Sequence, residues 1–234
     1  MNELYRYLTL AVTGEWRRLP DAERERHKRE FAAAVAAAGV KVHTYSLVGT
    51  RSDADLLLWA VADDLESLRA FEVGLAGTAL WRHSSRPYGF LAARRRSPYL
   101  AGHAHAGSEH VRGTAGPVGD LPYLVVYPMV KQRSWYALPA EERTRMMGAH
   151  FVAGHRYPEI RIHTAYSFGI DDYEFVVAFE TPDVRRFLSL VADLRETEAS
   201  AYTLSETPIF VGCAMPAAAA LDEIDGTTAR VLTA

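Results

Sequence analysis

Trp16-Arg17-Arg18-Leu19-Pro20 returns 119 positions later as Trp135-Tyr136-Ala137-Leu138-Pro139. The echo continues with Glu23-Arg24 and Glu142-Arg143, then, after a slip of one residue, with His43-Thr44 and His163-Thr164 and with Gly49 and Gly169. A repeat of this period means two copies of one supersecondary unit, so each copy serves as a control for the other. The useful contrast falls in the helix after each Leu-Pro: Phe31 stands in the first copy where the same offset lands on His150 in the second. A position that takes phenylalanine belongs to a buried face. The second copy has placed an imidazole where the scaffold asks for an apolar side chain, and function is expected there.

Working outward from the repeat, residues 5–12 have the aromatic and β-branched content of a strand. Residues 20–38 are helix formers that start at a proline and stop at Gly39. Strands are predicted over 40–48 and 55–61, split by the turn signal at 49–53. Leu65, Leu68 and Leu75 mark one face of a second helix, and 88–93 closes the unit. The second copy repeats the order: a strand over 121–129, a helix over 139–156, strands over 160–168 and 173–180, a helical stripe of Val184, Phe187, Leu188, Val191 and Leu194, and a strand through 202–211. The predicted fold is α+β: tandem duplicated ferredoxin-like βαββαβ units forming a β-barrel with helices outside. The boundaries follow as a first repeat over 1–96, a connecting loop rich in Gly, Ala and His over 97–120, a second repeat over 121–215, and a tail over 216–234 that reads as weakly ordered.

The chain is 49% hydrophobic and 24% charged, the balance of a globular protein with a sizeable core. A net charge of -3 gives no broad attraction for nucleic acid or an anionic membrane. No apolar run approaches the roughly 18 residues of a membrane span, and Met1-Asn2-Glu3-Leu4-Tyr5-Arg6 lacks the pattern of a leader, so a cytoplasmic protein is expected. Cys213 is the only cysteine, which excludes an intramolecular disulfide and any cysteine-built metal site.

Of the nine histidines, His27, His83 and His155 sit among charged or polar neighbours and are expected to be solvated. His43 and His163 occupy matching strand positions and read as structural. His103, His105 and His110 lie in the connecting loop. His150 shares one side of its helix with Met146 and Met147, and two readings stay open. It is a buried histidine satisfied by a backbone carbonyl, or it is the single axial imidazole of an iron macrocycle behind a soft apolar wall. Tyr127 and Lys131 end a strand just before Trp135. They read either as core packing with a solvated lysine, or as a redox-active tyrosine with a cationic anchor for a carboxylate. Arg94-Arg95-Arg96 reads as a solvated basic run.

The chain resembles the chlorite dismutase superfamily and, within it, the hydrogen-peroxide-dependent haem synthases, also called coproheme decarboxylases. The matching text is Val126-Tyr127-Pro128-Met129-Val130-Lys131, Trp135 to Arg143, Met146-Met147 to His150, Ser167 to Phe175, and Arg195-Glu196-Thr197-Glu198-Ala199. The resemblance implies haem iron held by His150, with Glu198 as carboxylate partner of its other ring nitrogen and Met147 and Trp135 beside the porphyrin. It implies a radical-forming Tyr127, a propionate-binding Lys131, and His110 as the distal base that deprotonates peroxide. Chlorite dismutases carry an arginine where this chain has Ile162, so chlorite chemistry is disfavoured. The implied reaction converts iron coproporphyrin III to haem b with hydrogen peroxide. The implied assembly is a homo-oligomer, commonly a pentamer. A different peroxidase-like haem enzyme and a non-catalytic haem-binding protein are the alternatives.

Overall fold

The structure is a computed structural model that describes residues 3–95, 97–100 and 119–227. The first half runs β1 (Leu4–Val12), α1 (Gly14–Arg17), α2 (Asp21–Ala36), β2 (Lys41–Ser46), β3 (Leu56–Ala62), α3 (Leu65–Ala76), α4 (Ala79–Arg82), β4 (Ser84–Ser85) and β5 (Gly89–Ala93). The second runs β6 (Tyr123–Lys131), α5 (Arg133–Ala137), α6 (Ala140–Gly154), β7 (Arg161–Tyr166), β8 (Phe175–Thr181), α7 (Val184–Arg195) and β9 (Thr203–Ser205), and the chain ends with β10 (Phe210–Ala214) and α8 (Ala217–Ile224). The two copies match nearly element for element, as the repeat predicts. The chain packs as two compact units, one of residues up to Ala93 together with those from Phe210 onward, the other of Arg94–Ile209.

In the first unit the strand order is β10-β2-β3-β1-β5, antiparallel, with β4 also on β1. Strand alternation sends Leu8, Leu10, Leu56, Leu58 and Ala60 into one core with Phe31 and Val35 of α2 and Leu68, Phe71 and Leu75 of α3. In the second unit the order is β7-β8-β6-β9, also antiparallel. Its register puts Ile162, Phe179 and Val125 on one face with Thr164, Val177 and Tyr127. That face looks toward α7, since the Phe179 and Phe187 rings stand 5.0 Å apart.

Three expectations are corrected. The strand predicted through 202–211 is two strands, β9 and β10, because Pro208 between them offers no N–H to a ladder; β9 lies on β6 and β10 on β2. The stretch read as a weakly ordered tail is α8, whose Ala220, Leu221 and Ile224 lie in the core of the first unit. Their spacing puts all three on one helical face, a signal masked by the run of alanines before it. His27 is buried rather than solvated, stacked on His83 with ring centroids 5.7 Å apart. Among the described residues no helix is long and apolar enough to cross a membrane.

Candidate functional site

The second unit gathers most of the residues singled out in the sequence. α6 begins at Pro139, whose fixed φ suits a helix start, and Glu141 and Glu142 in its first turn complement the helix dipole. The helix presents Met146 to a cluster with Trp135 and Ala199, against which Met147, Tyr99, Tyr136 and Tyr202 pack. One turn on, His150 is half-buried. Burial, with the Lys131 charge adding to it, pushes the imidazole down to about 4, so it is neutral at physiological pH.

The nearest polar group to His150 Nδ1 is the Thr197 hydroxyl, at 3.4 Å. That hydroxyl donates its one proton to the Leu194 carbonyl at 2.7 Å, so toward the imidazole it can only accept. The proton of His150 therefore sits on Nδ1, and Nε2 carries the lone pair that a metal can take. Glu198, expected as the partner of this imidazole, is elsewhere: its exposed carboxylate pairs with Arg145 at 2.5 Å, and Arg145 also holds Glu142 at 2.7 Å. The correction has a plain electrostatic reason, since a guanidinium outcompetes a neutral imidazole for a carboxylate. Thr197 lies within the quoted Arg195 to Ala199 stretch. Its first-copy counterpart Thr78 donates to Leu75 in the same way, a signal the repeat already held.

Lys131 is buried, which corrects its reading as a solvated lysine. Its ammonium donates to the Ala199 carbonyl at 2.7 Å and to the Thr203 hydroxyl at 3.2 Å, and stands 4.9 Å from the Trp135 ring. An ammonium has three donors, and the described residues engage two. Burial pushes it down to about 8, against the pull of Glu206 and Glu174. It is thus still mostly cationic at neutral pH and has a donor to spare for an incoming carboxylate.

Tyr127 is buried and stacked on Phe179, with centroids 6.0 Å apart and an interplanar angle of 25°. Burial raises its phenol well above the ordinary range, with the Glu206 charge adding and Arg195 opposing. Glu206 and Arg195 form an ion pair with each other. Glu206 was not singled out in the sequence, and Arg195 entered only as part of the Arg195 to Ala199 match, with no role assigned. Ile162 is on the same sheet face as Tyr127 and is 43% exposed, and Leu188 of the α7 stripe is 69% exposed. Apolar side chains left this open on one unit suit a flat apolar ligand. A neutral imidazole with a free Nε2, a buried ammonium and exposed apolar side chains fit an iron porphyrin bearing carboxylates. His110 lies outside the described residues, as do His103 and His105. Among the described residues no group of three or more His, Cys, Asp or Glu could hold a bare metal ion.

On the other face of the sheet, His163 pairs with the buried Glu180 at 2.8 Å, and Glu180 also accepts from the Gly119 N–H at 2.7 Å. The first copy has Val61 in place of Glu180, so this pair belongs to the second copy alone.

A sequence profile described as chlorite dismutase matches residues 16–215. The chain is 36% identical over 171 residues to the coproheme decarboxylase of Mycolicibacterium smegmatis, covering 72% of this chain and 70% of that one. It is 30% identical over 183 residues to the coproheme decarboxylase of Staphylococcus carnosus, covering 74% and 72%. Among solved structures, the chlorite dismutase of Candidatus Nitrospira defluvii in complex with imidazole superposes with a TM-score of 0.88 over 95% of both chains at 26% identity.

Proposed function

This chain belongs to the chlorite dismutase family, and from that premise we propose that it oxidatively decarboxylates two propionates of iron coproporphyrin III with hydrogen peroxide to give haem b. The observation that carries the proposal is the trio in the second unit: a neutral His150 polarised by Thr197, a buried Lys131 with a donor to spare, and a buried phenol at Tyr127. The names of the two relatives, both coproheme decarboxylases, support the substrate. Ile162 stands where the resemblance places the arginine of chlorite dismutases, which supports peroxide over chlorite as the oxidant.

In this reading His150 Nε2 ligates the iron, Trp135, Met147 and Ile162 contact the porphyrin, and Lys131 holds a propionate through its third N–H. The bound iron, with peroxide, supplies two oxidising equivalents for each propionate. Burial keeps the Tyr127 phenol protonated, so it loses its hydrogen as proton and electron together rather than as a phenolate. The resulting radical takes a hydrogen atom from the propionate β-carbon, regenerating the phenol. A second electron then leaves, the carboxylate departs as carbon dioxide, and a vinyl group remains. Peroxide takes up the two electrons and two protons and ends as two waters. His110 serves as the base that first receives the peroxide proton, its ordinary value near 6.5 suiting neutral pH. Glu198 acts through Arg145 at the back of α6 rather than on the imidazole. The resemblance further implies a cytoplasmic ring of copies, commonly five.

The test is reconstitution with ferric coproporphyrin, titration with hydrogen peroxide, and separation of products by mass. Stepwise loss of two carboxyl groups through a mono-propionate intermediate is expected. Tyr127→Phe keeps porphyrin binding and stops carbon dioxide release; turnover retained in that variant refutes the radical role.

A further inference from the structure

The two copies differ in what covers equivalent surfaces. Met147 and His150 on α6 correspond, at the offset of 119, to Lys28 and Phe31 on α2, and Ile162 on β7 corresponds, at the offset of 120, to Val42 on β2. In the second unit these are the residues assigned to the porphyrin. In the first unit the same positions hold α8. The helix packs against both α2 and β2, and Ala220, Leu221 and Ile224 share one apolar core with Phe31 and Val42.

The counterparts of the porphyrin contacts have become the grip on this helix. Lys28, buried, donates to Asp222 at 2.7 Å and lies 3.3 Å from Asp225. Arg24, also buried, reaches Asp225 at 3.2 Å. Arg17 donates to the Ile224 carbonyl, and Met215 N–H donates to the Thr44 carbonyl at 3.2 Å, fixing the entry to the helix. Asp225 is itself buried, and its carboxyl is held below the usual range, burial opposing and Thr227, Arg24 and Lys28 prevailing. Ionised groups out of water are kept only when paired, so α8 is locked in place rather than merely resting there.

We infer that α8 is the built-in occupant of a flat-ligand slot in the first copy, equivalent to the porphyrin slot of the second, and that it confines binding to one porphyrin per chain. The inference rests on His150 being the porphyrin ligand. The duplicated scaffold carries twice the space between the helix that follows each Leu-Pro and the next strand, α2 with β2 and α6 with β7. A chain segment fills one, and the residue that would bind iron there is Phe31.

The experiment uses the full chain carrying Asp222→Lys and Asp225→Lys, which turns the grip of Arg24 and Lys28 into repulsion. Ferric haem b is titrated into it and into the native chain, and bound porphyrin per chain is counted by native mass spectrometry. Hydrogen exchange of residues 217–224 reports release of the helix. The native chain is expected to take one porphyrin and the variant two, the second more weakly because Phe31 offers no ligand. Adding Phe31→His to the variant should give the second porphyrin an imidazole-bound absorption spectrum. A variant with α8 released that still takes one porphyrin overturns the inference. Should the double variant fail to fold, Lys28→Met, which installs the residue of the second copy, is read in the same way. A native chain that takes none, with a variant that takes one, sinks the His150 assignment and leaves the first-copy slot standing.

Discussion

At the scale of single residues, the contrast between Phe31 and His150 singles out the candidate site. His150→Phe, which restores the side chain of the first copy, should abolish the imidazole-ligated spectrum of added ferric haem while leaving the apoprotein folded. The same substitution alters how stability depends on pH. Unfolded histidine titrates near 6.5 and folded His150 near 4, so between those values the unfolded chain holds the extra proton. The native apoprotein should therefore lose stability as pH falls from about 6.5 toward 4, by up to about 3 kcal/mol, and the phenylalanine variant should lose less. Urea midpoints at pH 7.5 and 4.5 measure both. Lys131 behaves in the opposite pH range: folded near 8 against an ordinary 10.5, it leaves the unfolded chain with the extra proton between them. Apoprotein stability should rise across that window. Lys131→Met should remove the rise and weaken binding of a porphyrin with free propionates by about 10-fold, the loss of one charge-assisted bond, with little effect on its ester. Of these residues His150 stood out in the sequence because the repeat supplied a control, and its partial burial was legible from Phe31. Burial of Lys131 was not, since a lysine at a strand end reads as solvated until the elements that cover it are known. Glu198 came from the resemblance alone, which could not show that Arg145 occupies its carboxylate or that Thr197 faces the imidazole.

At the scale of elements, sequence pattern located α2, α3, α6 and α7 and the strands β1–β3 and β5–β8, because each must bury one face and the side-chain spacing records which. Capping is equally legible. Asp64 and Asp183, 119 positions apart, accept from the Ser67 N–H at 2.7 Å and the Arg185 N–H at 2.9 Å and so start α3 and α7. Replacing either by alanine should cost about 1 kcal/mol in denaturant unfolding, with no change in haem stoichiometry. The stretch from 202 to 211 was not legible as two strands. Its residues mostly suit extended structure, and the break falls at Pro208, between β9 and β10. α8 was missed for a related reason: an alanine-rich run carries helix propensity but no amphipathic contrast, so its buried face shows only against the core it completes.

At the scale of the molecule, the repeat announced two similar halves, whereas the sequence order hid which segments complete which half. β10, predicted as the end of the second copy, and α8, after it, pack in the first unit. Asp225, at the end of α8, accepts from Arg24 of α2 at 3.2 Å across 201 positions of sequence. Asp225→Ala should leave Arg24 and Lys28 without their shared counter-ion and lower stability by about 3 kcal/mol, read as a drop in the thermal midpoint of the apoprotein. A ribosome makes these segments only after the whole of Arg94–Ile209 has been joined. The second unit can reach its folded state while the first still lacks an edge strand and part of its core, and folding during synthesis runs against the order of the message. A chain cut short after residue 209 would carry every segment of the second unit, while the first would lie open to proteases.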